Sequence, residues 1–148
     1  MKVEFENNTK MRVSADVIEE LMRCAGKVLN LPKESKVNIF FVDDAEIRKL
    51  NRITRKINKI TDVLSFPLQD DSIFDKDPEG NVSLGDIVIN PKFALKNSIN
   101  KGREEKKELN FLVVHGLLHL CGYDHDTDLK QDEMEKVSNK IINFFEKI

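Results

Sequence analysis

Apolar positions along this chain change their period several times, and each change marks an element. Val3-Glu-Phe-Glu alternates apolar with polar, the period of a half-buried strand, and predicts a strand over residues 2–7. Beyond Ser14, a candidate N-cap, Val17, Ile18, Leu21, Met22, Ala25, Val28 and Leu29 recur at helical spacing until Asn30 and Pro32 end the stripe. Val37-Asn-Ile-Phe-Phe-Val42 reads as a second strand. Asp43, followed three residues later by Glu46, resembles a capping box and opens a helix through about Arg52. Val63-Leu-Ser-Phe66, stopped by Pro67, predicts a third strand, and Leu84-Gly-Asp-Ile-Val-Ile89 a fourth. Between them residues 69–82 are acidic, contain Pro78, Gly80 and Asn81, and read as a loop. A helix follows from about Pro91, a residue suited to a first turn.

The segment Glu104 to Cys121 predicts a helix with acidic residues in its first turn, where the macrodipole favours them. Phe111, Leu112, Val113, Val114, Leu117, Leu118 and Leu120 leave it apolar almost all round, so it should lie buried at the centre. A last helix over about Lys130 to Lys147 gathers Met134, Val137, Ile141, Phe144, Phe145 and Ile148 on one stripe. Strands and helices mix without strict alternation. The expected class is α+β: one domain over residues 1–148, with a small mixed β-sheet of about four strands packed with about five helices. The periodicity leaves the strand order open.

Composition narrows the class without naming a function. At 148 residues the chain can bury roughly two-thirds of its unfolded surface without a structural clip. Lys+Arg 24 against Asp+Glu 26 gives a net charge of -2, so nucleic acid could be attracted only by a local patch. Cys24 and Cys121 are too few for a secreted disulfide framework. No apolar signal core or membrane-length run is present, which points to a soluble cytoplasmic protein with no membrane partner.

All three histidines fall in His115-Gly-Leu-Leu-His119-Leu-Cys-Gly-Tyr-Asp-His125. His115 and His119, four residues apart, share one helix face, and Gly122 lets the chain leave the helix so that His125 can return as a third ligand. Neutral imidazoles on a buried helix each need a partner, and three of them with an open fourth position describe a catalytic zinc site. Cys121 lies two residues beyond His119, about 200° around a continuing helix, and would point away. Asp124 or Asp126 could close the site instead. The spacing equals the metzincin motif HExxHxxGxxH, but Gly116 replaces the glutamate that serves as general base. That departure argues against peptide hydrolysis, whose leaving amine needs the missing acid, and leaves better leaving groups such as a phosphodiester open.

The clearest cationic patch is Arg48, Lys49, Arg52, Arg55, Lys56 and Lys59, with no acid among residues 48–60. It is the natural place for phosphate contacts, with Arg52, Lys56 and Lys59 as candidate substrate-binding residues. Asp62 and Asp86, each beside a predicted strand, are candidates to orient a histidine, with turn or capping roles as the alternative. Tyr123 could donate to a substrate oxygen or pack against the helix. Met134 fits its own helix stripe and is assigned to the core.

Leu50-Asn51, Arg55, Thr61-Asp-Val-Leu-Ser-Phe-Pro67, Leu84-Gly-Asp-Ile and the histidine stretch with its Gly-Tyr-Asp resemble, in order, the signatures of the YbeY family of bacterial endoribonucleases. The resemblance spans about positions 38–145. It implies that His115, His119 and His125 hold one Zn²⁺ per chain and that Arg55 is the functionally required arginine. It also implies a single-strand-specific, metal-dependent endoribonuclease acting on the 3′ end of 16S rRNA and in quality control of defective ribosomes. Its partners would be RNA, the small ribosomal subunit and proteins bound to it. In the loop before Leu84, Asp70, Asp71, Asp75, Asp77 and Glu79 would repel RNA rather than grip it. A metallohydrolase of another kind, including a metalloprotease-like enzyme, and a ribosome-associated binding factor with structural zinc are the competing readings.

Overall fold

A computed structural model describes residues 1–68 and 78–148. Of the acidic positions in the loop, Asp70, Asp71, Asp75 and Asp77 lie outside the described residues. The elements run β1 (Lys2–Asn7), α1 (Ala15–Val28), β2 (Ser35–Phe41), α2 (Asp44–Arg55), β3 (Val63–Pro67), β4 (Val82–Ile89), α3 (Pro91–Lys101), α4 (Glu105–Leu120) and α5 (Asp128–Glu146). The strand order, which periodicity left open, is β1-β2-β4-β3. β1 pairs parallel to β2 and β2 parallel to β4, whereas β3 runs antiparallel against β4. The expected α+β class, with its four-stranded mixed sheet and five helices, is the class observed.

Strand alternation sends the sheet's two faces to different partners. Val37, Ile39, Phe41, Ile87 and Ile89 point into the main core, with Leu21 and Met22 of α1, Leu117 and Leu118 of α4, and Met134 and Ile141 of α5. Val88 and Leu64 point the other way, where Ile47 of α2 closes a smaller apolar cluster with Val42. Helix α4 is central, as its all-round apolar sequence requires: it touches β3, β4, α1, α3 and α5. Its Leu112, Val113, Val114, Leu117 and Leu118 are each at most 3% exposed, and burying such side chains stabilises by about 1.5–3 kcal/mol apiece.

The caps follow the local chemistry. The side chains of Ser14 and Asp43 accept from the N–H groups of Val17 and Glu46. The fully buried Asn90 accepts from Phe93 N–H and donates through Nδ2 to Asp44 Oδ1 at 2.7 Å, tying the starts of α3 and α2 together.

Strands β2 and β4 start two residues earlier than the sequence expectation, at Ser35 and Val82, and two helix boundaries also differ. Helix α2 continues past Arg52 to Arg55, because Lys56 takes a left-handed conformation (φ 61) and supplies the terminating cap. The buried Asn51 side chain donates to the Lys59 carbonyl at 3.0 Å, folding the segment after the helix back against it. Helix α5 starts at Asp128, earlier than Lys130, because the Thr127 hydroxyl caps it by accepting from Lys130 N–H.

A three-histidine candidate metal centre

The C-terminal end of α4 builds the site. His115 and His119 stand one turn apart, with ring centroids 4.5 Å apart. The helix ends in a Schellman motif: Tyr123 N–H bonds to the Leu118 carbonyl at 2.9 Å and Gly122 N–H to the His119 carbonyl at 3.1 Å. Gly122 has φ 93, a conformation that side chains disfavour, so glycine here turns the chain back. The reversal brings His125 to ring-centroid distances of 5.2 Å from His119 and 5.7 Å from His115. One ligand nitrogen from each of the three histidines lies within 4.8 Å of the others.

The hydrogen bonds fix how the rings face the centre. His119 Nδ1 lies 3.0 Å from the Tyr123 carbonyl oxygen. A carbonyl can only accept, so Nδ1 carries the proton and Nε2 presents its lone pair. That Nε2 stands 2.9 Å from His115 Nε2. Two lone pairs so close repel unless a proton or a cation lies between them. Burial, then the nearby His119 and His125, push the His115 pKa down to about 4. His119 is also lowered, first by burial, against the raising effect of its bond to the Tyr123 carbonyl. Neutral imidazoles are what a metal needs. No cysteine or carboxylate among the described residues joins the cluster, so the donor set is three nitrogens, which could hold a metal. Cys121, Asp124 and Asp126 stay outside it. Asp124 Oδ1 accepts from His125 N–H at 2.6 Å, and Asp126 pairs with Lys130.

Gly116 faces the sheet. A Cβ added there would lie 2.6 Å from Ile87 Cγ2, and the Gly116 carbonyl accepts from Ser65 Oγ of β3 at 3.1 Å. The metzincin glutamate position therefore faces the sheet at close range, and a side chain there would have to displace Ile87.

Among the cationic residues, Arg55 ends α2 and lies close enough to His119 for its charge to lower that imidazole's pKa. Arg52, Lys56 and Lys59 are exposed on the same helix end and the segment after it. Arg48 instead donates through Nε to Asn58 Oδ1 at 2.9 Å.

The two aspartates considered as histidine partners bond elsewhere. Asp86 points to the face opposite α4 and accepts from Asn38 Nδ2 across the β2–β4 pair at 2.9 Å. Asp62 accepts from Val63 N–H at 2.8 Å and from Asn97 Nδ2 of α3 at 3.3 Å, tying the start of β3 to α3. The group that orients a histidine is the Tyr123 backbone carbonyl, and the Tyr123 ring packs on the main core. Sequence reasoning missed this because it weighed side chains only. The Gly122 cap was the signal available, since such a cap turns the next carbonyls back over the last helical turn.

Comparison with known proteins identifies relatives of the chain. The family model described as Endoribonuclease YbeY matches residues 2–146. A Clostridioides difficile protein named Endoribonuclease YbeY is 38% identical over 141 residues, covering 93% of this chain and 92% of that protein. A Staphylococcus aureus protein of the same name is 35% identical over 152 aligned positions, covering 97% and 95%. The solution structure of a Thermotoga maritima protein superposes with a TM-score of 0.62 at 25% identity, covering 98% of this chain and 92% of that one. With a family model matching residues 2–146 and relatives 35–38% identical over more than nine-tenths of its length, the chain belongs to the YbeY endoribonuclease family.

Proposed function

We propose that the chain, acting as one domain over residues 1–148, is a metal-dependent endoribonuclease that cleaves single-stranded RNA at the three-histidine centre. The observation that carries this reading is the convergence of His115, His119 and His125, with the charge of Arg55 within electrostatic reach of His119. One Zn²⁺ per chain suits three neutral imidazoles; when bound, such an ion supplies Lewis-acid charge and acidifies water. The Tyr123 carbonyl holds His119 in the tautomer that points Nε2 inward. Arg55 would neutralise charge gathering on the phosphate, where its planar fork matches two oxygens. Arg52, Lys56 and Lys59, exposed on the same helix end and the segment after it, would add cationic charge for the phosphates of a bound strand. The closed packing at Gly116 leaves no room for a glutamate base at that position, which counts against peptide hydrolysis. The family resemblance carries the biological assignment: 16S rRNA 3′-end maturation and ribosome quality control in the cytoplasm, on or near the small ribosomal subunit and its bound proteins. No helix among the described residues is long and apolar enough to cross a membrane.

Metal analysis paired with cleavage of single-stranded and ribosomal RNA tests the reading. Wild type should carry about one metal per chain and cleave. His119→Ala should bind metal weakly, because outer and inner ligands act together. Arg55→Glu should keep its metal and lose cleavage. Normal cleavage by Arg55→Glu removes the role given to Arg55. Normal cleavage by metal-free His119→Ala, with contaminating nuclease excluded, removes the metal mechanism.

A further inference from the structure

A cavity adjoins the metal centre at helix α5. It has a volume of about 130 Å³ and is bounded by His115 and His125, by the apolar side chains Phe111 and Met134, and by polar residues of α5. Helix α5 places Gln131, Met134, Glu135 and Ser138 along it at i, i+3, i+4 and i+7, one helix face. Ser138 is 3% exposed and Met134 is 3% exposed, so they form the floor, while Gln131 and Glu135 are exposed at the rim. The Ser138 hydroxyl has no hydrogen-bond partner among the described residues.

The wall is fixed in place. The Arg103 guanidinium sits 5.1 Å from the Phe111 ring centroid and is held at 2.8 Å by the fully buried carboxylate of Glu108. The Phe111 ring in turn lies 5.6 Å from that of His115. The rim carries a carboxylate, Glu135, and no cation, so it disfavours a phosphate. A neutral group with N–H donors suits it: Glu135, which accepts from Gln131 Nε2 at 3.4 Å, can accept a further bond, and Gln131 can donate or accept. The size also selects. An apolar cavity of about 150 Å³ accepts one six-membered aromatic ring.

We propose that this cavity is a nucleobase subsite, sized for a pyrimidine, that seats the base of a nucleotide flanking the phosphate under cleavage. The proposal rests on the reading of the centre as an RNA-cleaving site. It seats the neighbouring base towards α5, between Phe111 and Met134, while the phosphate under cleavage lies at the three-histidine centre. The thioether of Met134 offers a polarisable contact to the ring.

Two measurements test it. In the first, the metal-loaded enzyme cleaves a single-stranded oligoribonucleotide, and each base flanking the mapped cut is replaced in turn by an abasic ribose. Loss of one seated base should lower kcat/KM by about tenfold or more at a single position next to the cut, as base–side-chain stacking energies imply. In Ser138→Leu, which fills the floor, and in the rim variant Gln131→Ala with Glu135→Ala, the intact substrate should be cut more slowly. The abasic penalty at that position should shrink towards one, with metal content unchanged. Because the rim residues are exposed, the second variant keeps the test valid if Ser138→Leu fails to fold. Equal penalties at every position, or an undiminished penalty in the variants, overturn the subsite.

The second measurement follows the Met134 methyl resonance of the metal-free protein during titration with free nucleosides. Cytidine and uridine should shift it at several-fold lower concentration than adenosine and guanosine, and not in Ser138→Leu. No response, or four equal responses, also overturns the proposal. The two readings fail separately: a protein that cuts no RNA yet binds pyrimidine nucleosides keeps the cavity and loses the nuclease. One that cuts RNA while indifferent to both tests loses only the subsite.

Discussion

Replacing Gly116 by alanine would test the close approach of helix α4 to the sheet. The added carbon would lie 2.6 Å from Ile87 Cγ2 and 3.4 Å from Cδ1 and Cγ1. Carbon atoms rest at about 3.5–4.0 Å, so Ile87 or helix α4 must yield by about 1 Å. Ile87 cannot turn aside easily: it is fully buried in the second-last strand of the sheet, and its branched Cβ stiffens χ1. Overpacking of this kind costs about 1–3 kcal/mol. Alanine also gains about 1 kcal/mol over glycine in a helix interior. The net expectation is a loss of about 1 kcal/mol, or roughly 2–4 °C in Tm for a chain of this size. The diagnostic step is to repeat the substitution in an Ile87→Ala background, where all three contacting carbons are gone. There Gly116→Ala should stabilise by about 1 kcal/mol, because only the helix preference remains. Urea unfolding of the four proteins gives the coupling directly. If Gly116→Ala raises the unfolding midpoint of the wild type, or acts equally in both backgrounds, the close approach is not what keeps glycine at this position. Because His115 adjoins Gly116 and His119 follows within one turn, Gly116→Ala should also weaken metal binding even where the protein remains folded.

The acid response of the metal-free protein follows from His115. The unfolded chain takes up a proton near pH 6.5, but folded His115 does so only near about 4. Its contribution is therefore constant above pH 6.5, and stability declines as the pH falls from 6.5 to about 4. Urea melts at intervals across that window should show a smaller decline for His115→Gln; an identical decline would remove His115 as the cause. Arg103→Ala strips the closest cation from the fully buried Glu108 carboxylate and leaves Lys101 at 3.4 Å. It should cost about 3 kcal/mol, as unpaired buried charges do, whereas a combined Arg103→Ala, Glu108→Met change should recover most of the loss. An unfolding midpoint unchanged in Arg103→Ala would show that Lys101 and solvent suffice. Asn90→Ala removes the side chain that caps α3 and reaches Asp44, and should cost about 1–2 kcal/mol in the same assay. No loss would mean that water replaces both bonds.

What the chain determines by itself is whatever repeats within a turn or a strand. The apolar stripe of α1, the alternation of β1 and the caps Ser14 and Asp43 involve neighbours a few residues apart, and they appear where the periodicity puts them. His115, His119, Gly122 and His125 belong to the same class. Helical spacing aligns the first two, and a left-handed glycine returns the third, so the site is legible from eleven consecutive residues. Tertiary structure decided what depends on elements distant in sequence. The order β1-β2-β4-β3 follows from which faces find cover, not from any local pattern. Only packing brings Arg55, at the end of α2, within electrostatic reach of His119. Asp62 and Asp86 looked like partners for a histidine because a carboxylate's type says nothing about its direction. Strand alternation turned Asp86 to the face opposite α4, and Asp62 was taken up by α3. Gly116 read in the sequence as a missing glutamate, and the fold gave the reason: Ile87 occupies the space a side chain there would need. Spacing within an element is encoded residue by residue, whereas proximity between elements emerges only when their apolar faces are buried together.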